Sequence, residues 1–551
     1  MKSFNASTLI LLLTAWAQAV EPGTLEKAKS NGELNRQALL LCWRFVPAWL
    51  QCADPVSGLI PRNISKDFYW NARDSAADNY PFMVLSSWLT DRPLFEGRMH
   101  EMLATEQRLA NRVDRLPDDW LFATQAFRTL EPKMDDLIFG ASEYCKDGLL
   151  PITEMLGPSP WTERMLGLID DIWKHAATES EVGKVPSTSH EVAGDLMQVL
   201  SRLYWMTGNA PHKQEAFQLA SFYLDHHLPT EAEQLRLDDH GCEVIGGLSE
   251  VYVIADKEDP ETANRWRPRI HKMLDRVLEV GRDADGLLYN VVNPVTGEIL
   301  SEERTDNWGY NYNAFAVVFA LDGVDRFKEA IDHVMSNLMK NKDYPWEKDI
   351  ADGIADSLEG GINLLNRFPN EEVEAWADHM GQRLFAKQQD TGIIAGWHGD
   401  GNAARTAMMY ALWKSRGARV EPWRADVRVG AVQDLQGVTH FVVTADWPYQ
   451  GKLRFDVPRH AEYLHLPMDY PRLNQWPEWF TAAKEGCLYA TDHSEFPPMD
   501  VNVANVVPEY LAAGDTPYRY EVTAAALREG LPISATKETP YTLSVWKLRV
   551  P

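Results

Sequence analysis

The sequence predicts a mostly α fold: an (α/α) toroid of six or seven helical hairpins, followed by a smaller β-rich, sandwich-like C-terminal domain. Three observations predict it. Segments with apolar residues at helical spacing recur from about Leu25 to Arg416. Glycines stand near the starts of several of them, at Gly194, Gly246-Gly247 and Gly360-Gly361, where small residues let a crowded inner ring of helices close. After Gly417 the texture changes to short β-branched or aromatic runs separated by turn residues.

In chain order, residues 1–19 read as a secretory signal peptide, with Lys2 ahead of an apolar Leu9 to Leu13 core and a small-x-small site at Ala17-Gln18-Ala19. The expectation is a secreted or periplasmic protein. The apolar run is shorter than the ~20 residues that cross a bilayer, and no later run replaces it, so no membrane span is expected. Helices are then predicted over Gln37 to Gln51, Asn79 to Leu89, Met165 to Ala176, Ser189 to Thr207, Lys213 to His226 and Val244 to Ala255. The series continues over Thr262 to Val280, Tyr312 to Leu321, Arg326 to Met339, Ala355 to Asn366, Glu371 to Gln389 and Thr406 to Ser415. Strands are predicted over Asp426 to Val432, Thr439 to Ala445, Lys452 to Val457 and Tyr541 to Val550. The domains are therefore placed at 20–420 for the toroid and 421–551 for the β-rich part.

A net charge of −26 argues against nucleic acid as a partner, since phosphates would be repelled. Five scattered cysteines give no disulfide framework and no zinc spacing, with a single Cys42–Cys52 bridge left open. Metal and nucleotide motifs, a P-loop and a Gly-x-Ser-x-Gly elbow are missing from the sequence, so no cofactor and no metal are expected.

The chemistry concentrates in polar, aromatic clusters ahead of predicted helices. The densest runs from Glu303 to Asn313 and holds Arg304, Asn307, Trp308, Tyr310, Asn311 and Tyr312. Aromatic faces for sugar rings and fixed polar groups for hydroxyls and carboxylates are what a sugar-acid site needs, although a capped helix start would gather similar residues. Further clusters carry Arg73, Asp74, Asp78 and Asn79; His190; Asp239 and His240; Asp352, Asp356 and Glu359; and Trp397, His398, Asp400, Asn402 and Arg405. A toroid with such loops points to polysaccharide processing. A hydrolase there needs two carboxylates across the scissile bond. A uronate lyase needs a base for the C5 proton and groups that neutralise the C6 carboxylate.

His240 ahead of an inner helix, then Arg304 and Tyr310 six residues later, in a helical toroid with a β-rich tail, resembles polysaccharide lyase family 38. The resemblance implies β-elimination on a glucuronan or mannuronan-type polyuronate, an anionic polysaccharide. It implies Tyr310 as base and acid, with Tyr312 the runner-up, Arg304 favouring the phenolate and His240 orienting it. Asn307, Asn311 and His190 would bind the uronate carboxyl. Trp308 and Trp397 are the expected stacking platforms, and Arg73, Asn79 and His398 line the same cleft. The unsaturated glucuronyl hydrolases share the toroid, and their paired aspartates would fall on residues such as Asp74 and Asp356. The alternative is thus a toroidal hydrolase of uronic-acid glycans, and a non-catalytic glycan-binding protein is a third reading.

Overall fold

The computed structural model of the chain describes residues 22–482, 487–492 and 518–546; the expected signal peptide lies outside them. The chain divides into two compact units. One is Ala38–Trp413 with Pro458–Trp479, and the other is Lys414–Val457 with the described residues through Gln37 and from Phe480 onward.

The helical unit is built from α1 (Thr24–Gln51, which begins in the other unit), α2 (Tyr80–Thr90), α3 (His100–Ala110), α4 (Met134–Glu143), α5 (Leu150–Leu156), α6 (Pro160–Lys174), α7 (His190–Thr207) and α8 (Ala210–Ser221). It continues through α9 (Glu243–Glu258), α10 (Pro260–Val280), α11 (Trp308–Asp322), α12 (Asp325–Asn337), α13 (Ala351–Arg367), α14 (Glu371–Phe385) and α15 (Gly399–Lys414). Wider, π-type turns over Ala72–Asn79 lead into α2, and Tyr144–Leu149 joins α4 to α5. Local signals start and stop these helices: the Ser189 hydroxyl accepts from Val192 N at the head of α7, and Gly208 ends it in the left-handed conformation.

Alternate helices form an inner ring: α4, α7, α9, α11 and α13 pack in sequence, the turns before α2 pack on α4, and Thr406 of α15 donates to Ala355 O of α13. Burial separates the two rings. On α11 every residue from Trp308 to Val318 is buried, whereas α12 buries the single stripe Phe327, Ala330, Ile331, Val334 and Met335. Glycines let inner helices touch. A Cβ on Gly247 would sit 2.7 Å from Gly194 O, and one on Gly360 would sit 2.7 Å from the Gly309 Cα. A Cβ on Gly401 would overlap Asp78 O, which brings α15 back onto the turns before α2 and closes the ring. Gly246 differs, because its nearest neighbour would be Gln198 at 3.8 Å.

Pro458–Trp479, expected in the C-terminal domain, packs within the helical unit. Its buried Arg472 meets Glu154 at 2.6 Å, and Trp476 Nε1 donates to Pro151 O at 2.9 Å. An arginine this buried stays only where a carboxylate pairs it.

In the other unit, β1 (Arg419–Glu421), β4 (Tyr449–Arg454) and β7 (Leu531–Ala535) form one antiparallel sheet. The second has the order β2 (Val427–Gln433), β3 (Thr439–Ala445), β8 (Tyr541–Trp546), β5 (Cys487–Asp492), β6 (Tyr518–Thr523). Val429, Phe441 and Leu543 share one apolar core with Leu453, Leu531 and Ile533 of the first sheet, a sandwich-like arrangement. The Cys42–Cys52 bridge does not form: both thiols are free, and buried Cys42 donates to Ala404 O instead.

Candidate active site

Each inner helix presents a polar first turn or junction, and these meet around one mouth. The turns before α2 supply Asp74 and Asp78, the α4–α5 junction Lys146 and Asp147, α7 Glu191 and Asp195, and the loop into α9 Asp239 and His240. Asp306 precedes α11, Asp352 and Asp356 begin α13, and Asn402 and Arg405 begin α15. Several of these carboxyls bear on one another's charge. Burial, then Asp147, Asp74, Asp352 and Asp239, push Asp78 well above the usual aspartate range. Burial, then Asp356 and Glu347, do the same to Asp306 and Asp352.

Asp147 is held differently. Lys146 Nζ lies 2.8 Å from its Oδ1, and Asn474 Nδ2 donates to the same oxygen at 2.7 Å. Its helix packs against the Asp78 segment, where a Cβ on Gly148 would come within 2.8 Å of Ala76 O. Asp352 accepts from Asn402 at 3.0 Å, and Asp356 takes Arg405 at 2.6 Å and Asn307 at 3.1 Å. Asp239 is kept well below the usual range because, against its burial, it hydrogen-bonds His240.

The expected site residues scatter among these roles. Tyr310 is 6% exposed, beside a cavity of about 10 Å³, room for one water at most. Its hydroxyl donates to Glu359 at 2.9 Å and accepts from Arg405 at 3.1 Å. Burial pushes it well above an ordinary phenol, against the lowering effect of Arg405 and with Asp356 and Glu359 adding to the rise. Arg304 is not its partner. It sits on the strand Glu298–Arg304, paired with Asp283 at 2.6 Å and Asn341 at 2.6 Å and lying over the Tyr344 ring. Arg405 takes the place expected of it.

His240 stands at the mouth but as a held cation: its Nδ1 contacts Glu191 and its Nε2 is 2.9 Å from Asp239. Burial opposes that charge, yet the two carboxylates raise the pKa to about 11, so His240 has no lone pair to offer as a base. Trp308 is no platform. It is fully buried, edge-on to Trp376, with Nε1 donating to Ser357 at 2.9 Å. Tyr312 donates to Gly286 O at 2.7 Å, and its burial pushes it up to about 12. Asn311 donates to Leu237 O and Asn307 O inside the wall. These three hold the ring together, because the first turn of α11 is inside it. His190 packs edge-on to Tyr223, and burial lowers its pKa.

Four expected residues do gather at the rim. Asn79 donates to Trp397 O at 3.4 Å, His398 Nδ1 lies 3.5 Å from Asp74, half-buried Trp397 stands edge-on to the His398 ring, and Arg73 is 44% exposed beside Asp74. Asp400 belongs to the wall: it accepts from Ile394, Ala395 and Gly396 N and from Trp49 Nε1. The sequence reading missed Lys146, Asp147, Glu143 and Asp195. The signal for the first three was a helix, Met134–Glu143 continued to Leu156, with charged residues at inner positions, and for Asp195 it was a carboxyl four residues after Glu191 within the expected helix.

No family model matches the sequence, and no curated protein matches it. Solved structures similar to the chain include a cellobiose 2-epimerase from Spirochaeta thermophila DSM 6192 (12% identity, TM-score 0.38, covering 58% of this chain and 87% of that one). Others are the unsaturated glucuronyl hydrolase of Bacillus sp. GL1 (11%, TM-score 0.34, 50% and 85%) and an inactive variant of the alpha-1,6-mannanase of Salegentibacter sp. HEL1_6 (9%, TM-score 0.40, 68% and 98%). At these values the site is read from its own geometry.

Proposed function

We propose that the chain is an enzyme that hydrolyses glycosidic bonds of a polysaccharide, with Asp78 as general acid and Asp147 as the charged carboxylate opposite. The observation that carries this reading is the contrast between the two neighbours. Asp78 is pushed up by burial and by Asp147 first among the surrounding charges, while Asp147 is paired with Lys146 and Asn474. A carboxyl raised in this way suits the proton donor, and a neighbouring carboxylate held by a lysine suits the base or nucleophile. Trp397, Asn402 and Arg73 at the rim supply an aromatic face and hydrogen-bonding groups for sugar rings.

The acidic mouth weighs toward a neutral sugar at the cleavage point. Lys146, Arg405 and His240 are each already in contact with carboxylates, which leaves them little to give a uronate carboxyl. A second reading, β-elimination of an anionic polyuronate by Tyr310, is favoured by one observation: Arg405 donates to the Tyr310 oxygen at 3.1 Å. Reducing-end release and absorbance of a C4–C5 double bond, measured on neutral and uronate polysaccharides, separate the two. Hydrolysis predicts new ends without absorbance, lost in Asp78→Asn and kept in Tyr310→Phe. Absorbance that Tyr310→Phe abolishes overturns the proposal.

A further inference from the structure

We propose that Glu143, Glu191 and His240, with the buried carboxyl of Asp195 one helical turn beyond Glu191, form a binding site for a divalent first-row transition ion, beside but separate from the Asp78–Asp147 pair. The ligating atoms of Glu143, Glu191 and His240 all lie within 4.8 Å of one another. Ligands about 2.0–2.2 Å from one ion stand up to about 4.4 Å apart, so small side-chain movements close this group around a cation.

An independent observation comes from Asp195, one helical turn beyond Glu191. It is fully buried, and neither carboxylate oxygen has a hydrogen-bond partner. The charges that bear on it include Lys146, Glu243 and Glu191, and it is the largest charge acting on Glu143. Lys146 does not satisfy it: that ammonium is 4.0 Å from Asp195 but 2.6 Å from Glu243 and 2.8 Å from Asp147. A buried carboxylate with no donor is costly unless it takes up a proton or a cation compensates it, and a bound cation would do the second.

The histidine is posed for the same purpose. His240 has φ +64, a strained conformation for a residue with a side chain, and it turns Nδ1 to Glu191 while Asp239 holds Nε2 at 2.9 Å. A carboxylate on the far nitrogen is the usual support of a metal-bound imidazole, because it fixes the tautomer and raises basicity, and an ion bound here takes the place of the Nδ1 proton, which is released to solvent. Carboxylates together with an imidazole suit Mn²⁺ or Zn²⁺. Sequence spacing does not show the site, since the ligands come from α4, α7 and the loop before α9.

Mn²⁺ titrated into the full-length protein and followed by electron paramagnetic resonance tests it. The expected result is one saturable site that quenches the free-ion signal, weakened more than ten-fold in Asp195→Asn and about ten-fold in Asp239→Asn, with circular dichroism unchanged. Should Asp195→Asn fail to fold, partly exposed His240→Gln gives the same reading. No saturable binding to the wild-type protein, or variants that bind as it does, overturns the proposal.

Discussion

The Lys146 ammonium lies 2.8 Å from the Asp147 carboxylate and 2.6 Å from that of Glu243, so one buried cation serves two inner helices at the edge of the mouth. That lysine anchors Asp147, which is also first among the charges that raise Asp78.

Replacing Asp78 or Asp147 by Asn removes proton transfer while keeping shape. Each variant is expected to lose about 10²–10⁴ in kcat on the substrate that wild type cleaves, with KM little changed. Steady-state kinetics beside circular dichroism check this.

Asp78 also sets the direction of the pH profile. Its pKa is raised by burial and by neighbouring carboxylates, and the acid acts only while protonated. The kcat/KM is therefore expected to hold at low pH on this account and to fall as pH rises through the raised value. An alkaline limb that persists unchanged in the residual activity of Asp78→Asn would assign it to another group.

Stability follows the same sign. Asp78, Asp306 and Asp352 are raised above 3.8 in the folded state, so the native chain binds more protons than the unfolded one between the two values. Their contribution is complete below 3.8 and is lost as pH rises through the folded values. The urea midpoint is expected to be higher near pH 5 than near pH 8, and Asp352→Asn is expected to flatten the difference.

Two adjacent glycines give opposite outcomes. A Cβ at Gly247 would press on Gly194 O at 2.7 Å and Met197 Cβ at 2.9 Å, and Gly247→Ala is expected to cost about 1–3 kcal/mol. At Gly246 the space is open to 3.8 Å, and Gly246→Ala is expected to gain up to about 1 kcal/mol of helix propensity. Chemical denaturation of both variants decides.

Much of the helical series was legible in the sequence because its apolar spacing is strong. Ser189 to Thr207 is observed as His190–Thr207, and Thr439 to Ala445 is observed as a strand over the same residues. The systematic error lies at inner helix starts. α11 begins at Trp308, not Tyr312, α13 at Ala351, not Ala355, and α15 at Gly399, not Thr406. Those first turns carry Tyr310, Asp352 and Asn402 in place of an apolar stripe, so periodicity read them as loops. The same cause misassigned Trp308 and Tyr312, which look like loop aromatics but face into a ring of helices. Arg304 failed for another reason: proximity in sequence to Tyr310 says nothing once a strand ends and a helix begins between them.

Mass spectrometry of the products formed in water enriched in heavy oxygen tests the central claim most directly. The account predicts that the new reducing end carries the heavy isotope, with no unsaturated product, and that Asp78→Asn forms neither. Products that lack the isotope and are lighter by one water would contradict it and return the chemistry to Tyr310.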